Sequence, residues 1–264
     1  MLNKKENQQW LGKRKITVVA NWKMNLNYDE EVKLASEIKE SLLSLSTVEI
    51  VLCPSFLSIP KIKEIFSKTA VKIGAQDVFY ENCGAFTGGI SVKMLEPFCD
   101  YVIIGHSERR RYFKETDEEV NKKVKAALQS KIMPIICVGE DLEAWRRGDI
   151  DTVIDQVRKA VKGIDQDQIT KILIAYEPVW AIGSGNPATA EYANKICLQI
   201  RQLLESFYSR DLAMKIRILY GGSVNIENAS EFIAQSEIDG LLVGGLSLKA
   251  KEFILLVKNI NKIK

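Results

Sequence analysis

Histidine is almost missing from this 264-residue chain, with His106 the only one. A multi-histidine metal centre is therefore excluded, and any imidazole chemistry falls to that one side chain. Cysteine is sparse as well. Cys53, Cys83, Cys99, Cys137 and Cys197 form an odd set with no C-x-x-C pair, which argues against a disulfide framework or an all-cysteine metal site and suits reduced thiols. No apolar run reaches the roughly 18 residues needed to span a bilayer. The opening segment MLNKKENQQWLGKRK carries charge with no apolar stretch behind it. Membrane and secretory readings fall away, and a cytoplasmic location is expected. Nor is one sign of charge in excess: 37 Lys and Arg stand against 34 Asp and Glu, spread along the chain, so nucleic acid is not the expected partner.

What is present is core material. Hydrophobic residues make up 46% of the chain, enough for a sizeable interior and too many for disorder. The recurring unit is a short apolar, β-branched run followed by a longer segment of helical period. Such runs occur at Ile16–Ala20, Glu49–Cys53, Val71–Gly74, Tyr101–Ile104, Met133–Val138, Ile172–Tyr176, Ile216–Leu219 and Gly240–Val243. ITVVA, IVLC and ILIAY are continuously apolar, as strands of a parallel sheet buried on both faces must be. Between the runs, apolar residues recur at helical spacing, as in Val32, Ala35, Ile38 and Leu42, or Tyr192, Ile196, Ile200 and Leu203. Eight βα units in this length predict a closed (β/α)8 barrel rather than an open doubly wound sheet. Residues 1–14 read as a polar, flexible N-terminal extension and 15–264 as one catalytic barrel domain.

In a parallel α/β fold the ligand site lies at the carboxyl ends of the strands, so the residues just after each run carry the function. NWKMN follows the first. A period of two predicts Asn21 and Lys23 on one face, aimed into the barrel mouth, with Trp22 on the other. GHSERRR follows the fourth run, where His106 opens a polar helical turn whose unpaired N–H groups disfavour imidazolium. AYEPVWAIGSG follows the sixth. Pro178 holds Glu177 extended at the strand tip, and the apolar stretch Val179–Ile182 leading to Gly183 and Gly185 reads as a mobile lid. Paired glycines follow the seventh and eighth runs, in YGGSV and LLVGG, where backbone N–H groups can approach a phosphate closely with Ser223 as a further donor.

A base, a neutral electrophile, a cation and two phosphate cradles fit proton abstraction next to a carbonyl on a small phosphorylated substrate. These residues alone leave an aldose–ketose isomerase and a Schiff-base aldolase acting through Lys23 both open. A barrel retained only for binding is the non-enzymatic alternative.

NWKMN, GAQDV, GHSERR, CVGE, AYEPVWAIGSG, YGGSV and DGLLVGG stand in the order and at the spacing of triosephosphate isomerases, and the chain resembles that family over nearly all of its length after Lys15. The resemblance implies a TIM-barrel homodimer that interconverts dihydroxyacetone phosphate and glyceraldehyde 3-phosphate, without a cofactor or metal, in glycolysis and gluconeogenesis. It implies Glu177 as the catalytic base, His106 as the neutral electrophile, and Lys23 as the charge facing phosphate and enediolate. Asn21 would hydrogen-bond a substrate oxygen, and Gly183, Ser223, Gly244 and Gly245 would hold the phosphate. Ser107 and Glu108 would support His106, while Cys137 and Glu140 would be structural.

Two positions depart from the family pattern. Gly89, in GAFTGGIS, replaces a glutamate that pairs with the partner subunit's arginine at the position of Arg109. The expectation is a weakened dimer or a different acid for Arg109, with Phe86 and Thr87 still available to plug into the neighbouring subunit. Asn186-Pro187 replaces Lys-Thr at the far hinge of the lid, where a fixed φ would alter lid kinetics.

Overall fold

The computed structural model describes residues 14–43, 45, 47–182 and 187–263. The strands are β1 (Ile16–Asn21), β2 (Val48–Cys53), β3 (Lys72–Ala75), β4 (Tyr101–Ile104), β5 (Met133–Val138), β6 (Leu173–Tyr176), β7 (Arg217–Tyr220) and β8 (Gly240–Val243). Each lies within one residue of its apolar run. The helices are α1 (Tyr28–Leu42), α2 (Ile59–Ile65), α3 (Val92–Leu95), α4 (Ser107–Tyr112), α5 (Asp117–Leu128), α6 (Leu142–Arg146), α7 (Asp151–Ala160), α8 (Ala190–Phe207), α9 (Arg210–Ala213), α10 (Ala229–Ile233) and α11 (Ala250–Asn261). All strand pairs are parallel, each strand neighbours the next in sequence, and β8 returns to β1 through Thr17↔Gly240 to Ala20↔Val243, closing the (β/α)8 barrel.

The strand period divides the core in two. Val18, Ala20, Ile174 and Tyr176 face outward into the layer shared with the helices. Val19, Ile103, Ile135, Cys137, Leu173, Ala175, Leu219 and Leu242 point inward and fill the barrel. Continuing that alternation past each strand end puts Asn21, Gly139, Glu177, Gly221 and Gly244 on the inward face at the carboxyl mouth. The helices start where capping chemistry dictates: Asn27 with Glu30, and Thr116 with Glu119, form reciprocal capping boxes at α1 and α5.

The amino end of the barrel is closed by a polar layer. Arg217 Nη1 donates to Glu49 Oε1 at 2.5 Å and to Thr17 Oγ1 at 2.7 Å, and the Tyr101 hydroxyl donates to Glu49 Oε1 at 2.5 Å. Burial alone would raise the Glu49 carboxyl, but the Arg217 charge and these hydrogen bonds outweigh it and hold the group below the usual carboxylate range. A depressed folded pKa means that the unfolded chain binds the proton first, so this stabilisation is present above the ordinary carboxylate range and disappears as pH falls through the depressed value. Glu49→Gln is expected to lower stability at pH 7 by about 1–3 kcal/mol, because Arg217 loses its acid. It should also flatten the loss of stability below about pH 5, which urea midpoints at pH 7 and pH 4 would read.

Of the extension expected over residues 1–14, only Arg14 lies among the described residues. It is buried, with Nε 2.5 Å from Asp239 Oδ1 and Nη2 donating to the Ser236 carbonyl at 2.9 Å. No helix among the described residues is long and apolar enough to cross a membrane.

Candidate active site

A cavity of about 470 Å³ opens at the carboxyl mouth of the barrel, lined among others by Asn21, Lys23, His106, Glu177, Ser223 and Gly245. The tips of β1, β4, β6, β7 and β8 thus converge on one space. Ser107, Glu108 and Gly244 line it too. Gly183 and Asn186, together with residues 184 and 185, lie outside the described residues.

Glu177 follows β6 directly and is 1% exposed, so its carboxylate is a buried group. Its backbone N–H donates to the Val138 carbonyl at 2.7 Å. Its Oε2 accepts the Ser107 N–H at 3.1 Å, and Oε1 sits 3.1 Å from His106 Nε2, out of line for a hydrogen bond and without any other. One carboxylate oxygen is therefore buried, unsatisfied and directed at the imidazole. Two glycines make room for this residue. A Cβ on Gly139 would lie 1.7 Å from the Glu177 carbonyl oxygen, and one on Gly221 would lie 2.9 Å from Glu177 Cγ.

His106 caps α4, and its Nδ1 accepts the Glu108 N–H at 3.2 Å. An accepting nitrogen carries no proton, so the neutral ring bears its proton on Nε2, the atom facing Glu177 and the cavity. Cys137 lies against the same carboxylate. Burial and the Glu177 charge push its thiol far up, so it stays protonated and packs inside the barrel.

Lys23 reaches the cavity by a different route from the one the strand period predicts. β1 ends at Asn21, and Lys23 has φ +53°, in the left-handed region that a non-glycine residue seldom adopts. Asn21 Oδ1 accepts the Lys23 N–H at 3.1 Å, and Gln76 Nε2 donates to the Lys23 carbonyl at 2.9 Å. Such strain persists where the surroundings over-determine it, and it marks functional positions. Lys23 Nζ pairs with Glu108 Oε1 at 2.7 Å. Gln76 was not singled out as a site residue from the sequence, although it lies in GAQDV at the tip of β3. Arg110 was missed as well. Its guanidinium donates to the Gly105 carbonyl at 2.8 Å and to the Cys137 carbonyl at 3.5 Å, tying the His106 loop to β5.

The two glycine pairs differ. A Cβ on Gly222 would strike the Tyr220 hydroxyl at 2.2 Å, and the Gly221 N–H is taken by the Tyr176 carbonyl at 2.8 Å, so packing already requires the first pair, which also lines the cavity. Gly245 meets open space on that side and Gly244 lies beside Lys23 Cε, so the second pair borders the cavity and its cation.

Glu140 is fully buried and its Oε1 accepts from the Tyr176 hydroxyl and Trp180 Nε1, both at 2.9 Å. Burial raises its carboxyl above the usual range despite these bonds. Arg109 finds its acid within the chain, with Nη2 2.8 Å from Asp77 Oδ2. Lys123 shares Asp77 at 2.7 Å and also pairs with Glu115.

The family model described as triosephosphate isomerase matches residues 16–260. A triosephosphate isomerase of Clostridium tetani is 47% identical over 93% of this chain and 97% of its own length. One from Dictyoglomus turgidum is 47% identical over 94% of this chain and its whole length, and one from Clostridium perfringens is 46% identical over 91% and 97%.

Proposed function

The chain belongs to the triosephosphate isomerase family, and we propose that it carries out that reaction with Glu177 as the base and His106 as the electrophile. The observation that carries this assignment is the buried, unsatisfied Glu177 Oε1 held against His106 Nε2 in a cavity that also holds a cation. Glu177 removes the proton from the carbon next to the carbonyl of dihydroxyacetone phosphate. The Nε2–H of neutral His106 hydrogen-bonds the carbonyl oxygen as negative charge develops there, giving an enediol or enediolate. His106 passes the proton of the neighbouring hydroxyl to the former carbonyl oxygen, and Glu177 returns the carbon-bound proton to the former carbonyl carbon, which yields D-glyceraldehyde 3-phosphate. Lys23 offsets the phosphate and enediolate charge, and Asn21 contacts a substrate oxygen. Ser223, Gly244, Gly245 and, by family likeness, Gly183 hold the phosphate. Ser107 and Glu108 position the pair through their backbone N–H groups.

A Schiff-base aldolase would need Lys23 as a neutral amine. Its ion pair with Glu108 instead supports a resident charge. The same reading places the enzyme in glycolysis and gluconeogenesis, in the cytoplasm, without cofactor or metal, as a homodimer. Support for the dimer comes from exposed apolar residues that follow β1, β3 and β4: Met24, Phe86, Tyr112 and Phe113 are all solvent-exposed, and Thr87 is carried beside Phe86. Arg109 is held by Asp77 in place of the acid missing at Gly89.

A coupled assay for glyceraldehyde 3-phosphate conversion tests this on wild type and His106→Gln, each at falling protein concentration. Wild type is expected to turn over. His106→Gln should lose about 100-fold in kcat, with inhibition by inorganic phosphate little changed. Equal loss of both would make His106 structural. Specific activity that falls on dilution would report the dimer, and an inactive wild type would return the binding-only barrel.

A further inference from the structure

Glu177 is followed by a tight turn. Val179–Ala181 form one turn of 3-10 helix, closed by the Ala181 N–H donating to the Pro178 carbonyl at 2.8 Å. Val179 and Ile182 line the substrate cavity. Trp180, between them, points the other way: its Nε1 donates to Glu140, and its indole stacks on that of Trp145 with ring centres 4.3 Å apart and planes 27° apart. Trp145 lies on α6, a short helix capped by Asp141, and is 37% exposed. Nothing in the reaction as derived above uses it.

The catalytic groups show what this stack holds in place. Only 3.1 Å separates Glu177 Oε1 from His106 Nε2, which leaves no room for a carbonyl oxygen and its neighbouring carbon between base and electrophile. Accepting substrate therefore requires the Glu177 carboxylate to move off His106. Trp180 belongs to the one-turn unit that follows Glu177, and its contacts with Glu140 and Trp145 are what anchor that unit in the arrangement seen.

We propose that the turn after Glu177 moves with it when substrate is accepted, and that Trp145 is a positioning residue of this enzyme: by stacking on Trp180 it stabilises the resting arrangement of that turn and opposes the arrangement that accepts substrate. The inference rests on the assignment of Glu177 and His106 above. A contact made in only one of two states shifts their populations by its full strength, and an aromatic pair has the strength to shift them several-fold.

Removing the stack should therefore tighten binding, an effect a merely structural tryptophan would not produce. Trp145→Ala is expected to lower both the KM for triose phosphate and the dissociation constant for inorganic phosphate by about two- to tenfold, with kcat unchanged or reduced. Trp145→Phe, which keeps a ring to stack, should stay near wild type. Unchanged or weaker binding in Trp145→Ala would overturn the proposal, as would a Trp145→Phe indistinguishable from Trp145→Ala. Calorimetric titration with phosphate needs no turnover. An inactive wild type would thus refute the isomerase reading while the phosphate titration still decides the role of Trp145.

Discussion

Glu177→Gln is expected to lower kcat by three to four orders of magnitude, the upper range for loss of a general base, while KM changes little. The amide oxygen of glutamine can still accept the Ser107 N–H that Glu177 Oε2 accepts now. The side chain keeps its length between Gly139 and Gly221, so the fold has no reason to change. What disappears is the carboxylate lone pair that the proposed reaction uses as its base. Glu177→Asp retains the carboxylate but withdraws it by about 1 Å, a misplacement that typically costs about 100-fold. The ordering Gln below Asp below wild type in kcat, at nearly constant KM, separates loss of the base from misplacement of the base. Steady-state rates with dihydroxyacetone phosphate would check it, and a Glu177→Gln enzyme within tenfold of wild type would remove Glu177 from the mechanism.

The second large effect concerns stability and lies far from the cavity. Asp239 is 2% exposed and collects Arg14 Nε at 2.5 Å, Arg201 Nη2 at 3.1 Å and the Ile218 N–H at 2.9 Å. Arg201 is buried as well, with Glu237 at 2.6 Å and the carbonyls of Ala213 and Ile216 completing its hydrogen bonds. Asp239→Ala would leave the buried Arg14 with only the Met214 and Ser236 carbonyls, and Arg201 with Glu237 as its one acid; removing one partner of a buried pair destabilises by about 3–5 kcal/mol. For a chain of this size that corresponds to a fall in Tm of about 6–15 °C. Scanning calorimetry of the variant beside Asp239→Asn would check this. The asparagine can keep an oxygen on the Ile218 N–H, so it isolates the charge from the strand contact. A shift below 2 °C in Asp239→Ala would mean that Arg14 and Arg201 find other acids or water.

Local pattern determined the architecture. Continuously apolar β-branched runs demand a sheet buried on both faces, and eight of them spaced by helical segments fit a closed barrel. The first follows from chain geometry and water, whereas closure itself is the distant pairing of β8 with β1. The same period of two placed Asn21 and Glu177 at the inward mouth and placed glycines where Glu177 needs space. Lys23 shows where the pattern stops. Its φ of +53° lies outside any strand, and it is held by Asn21 beside it and by Gln76 from another strand tip. Three other pairings were decided only by folding: Arg109 with Asp77, Arg110 with the Cys137 carbonyl, and Trp145 with Trp180. Each joins segments on different βα units, and a periodicity records which face a residue occupies, not which neighbour it meets there. The residue types that can do the chemistry were legible in the sequence because strand ends are regular. The contacts that hold those residues to within an ångström are side-chain encounters across the barrel mouth, and they exist only once the barrel has closed.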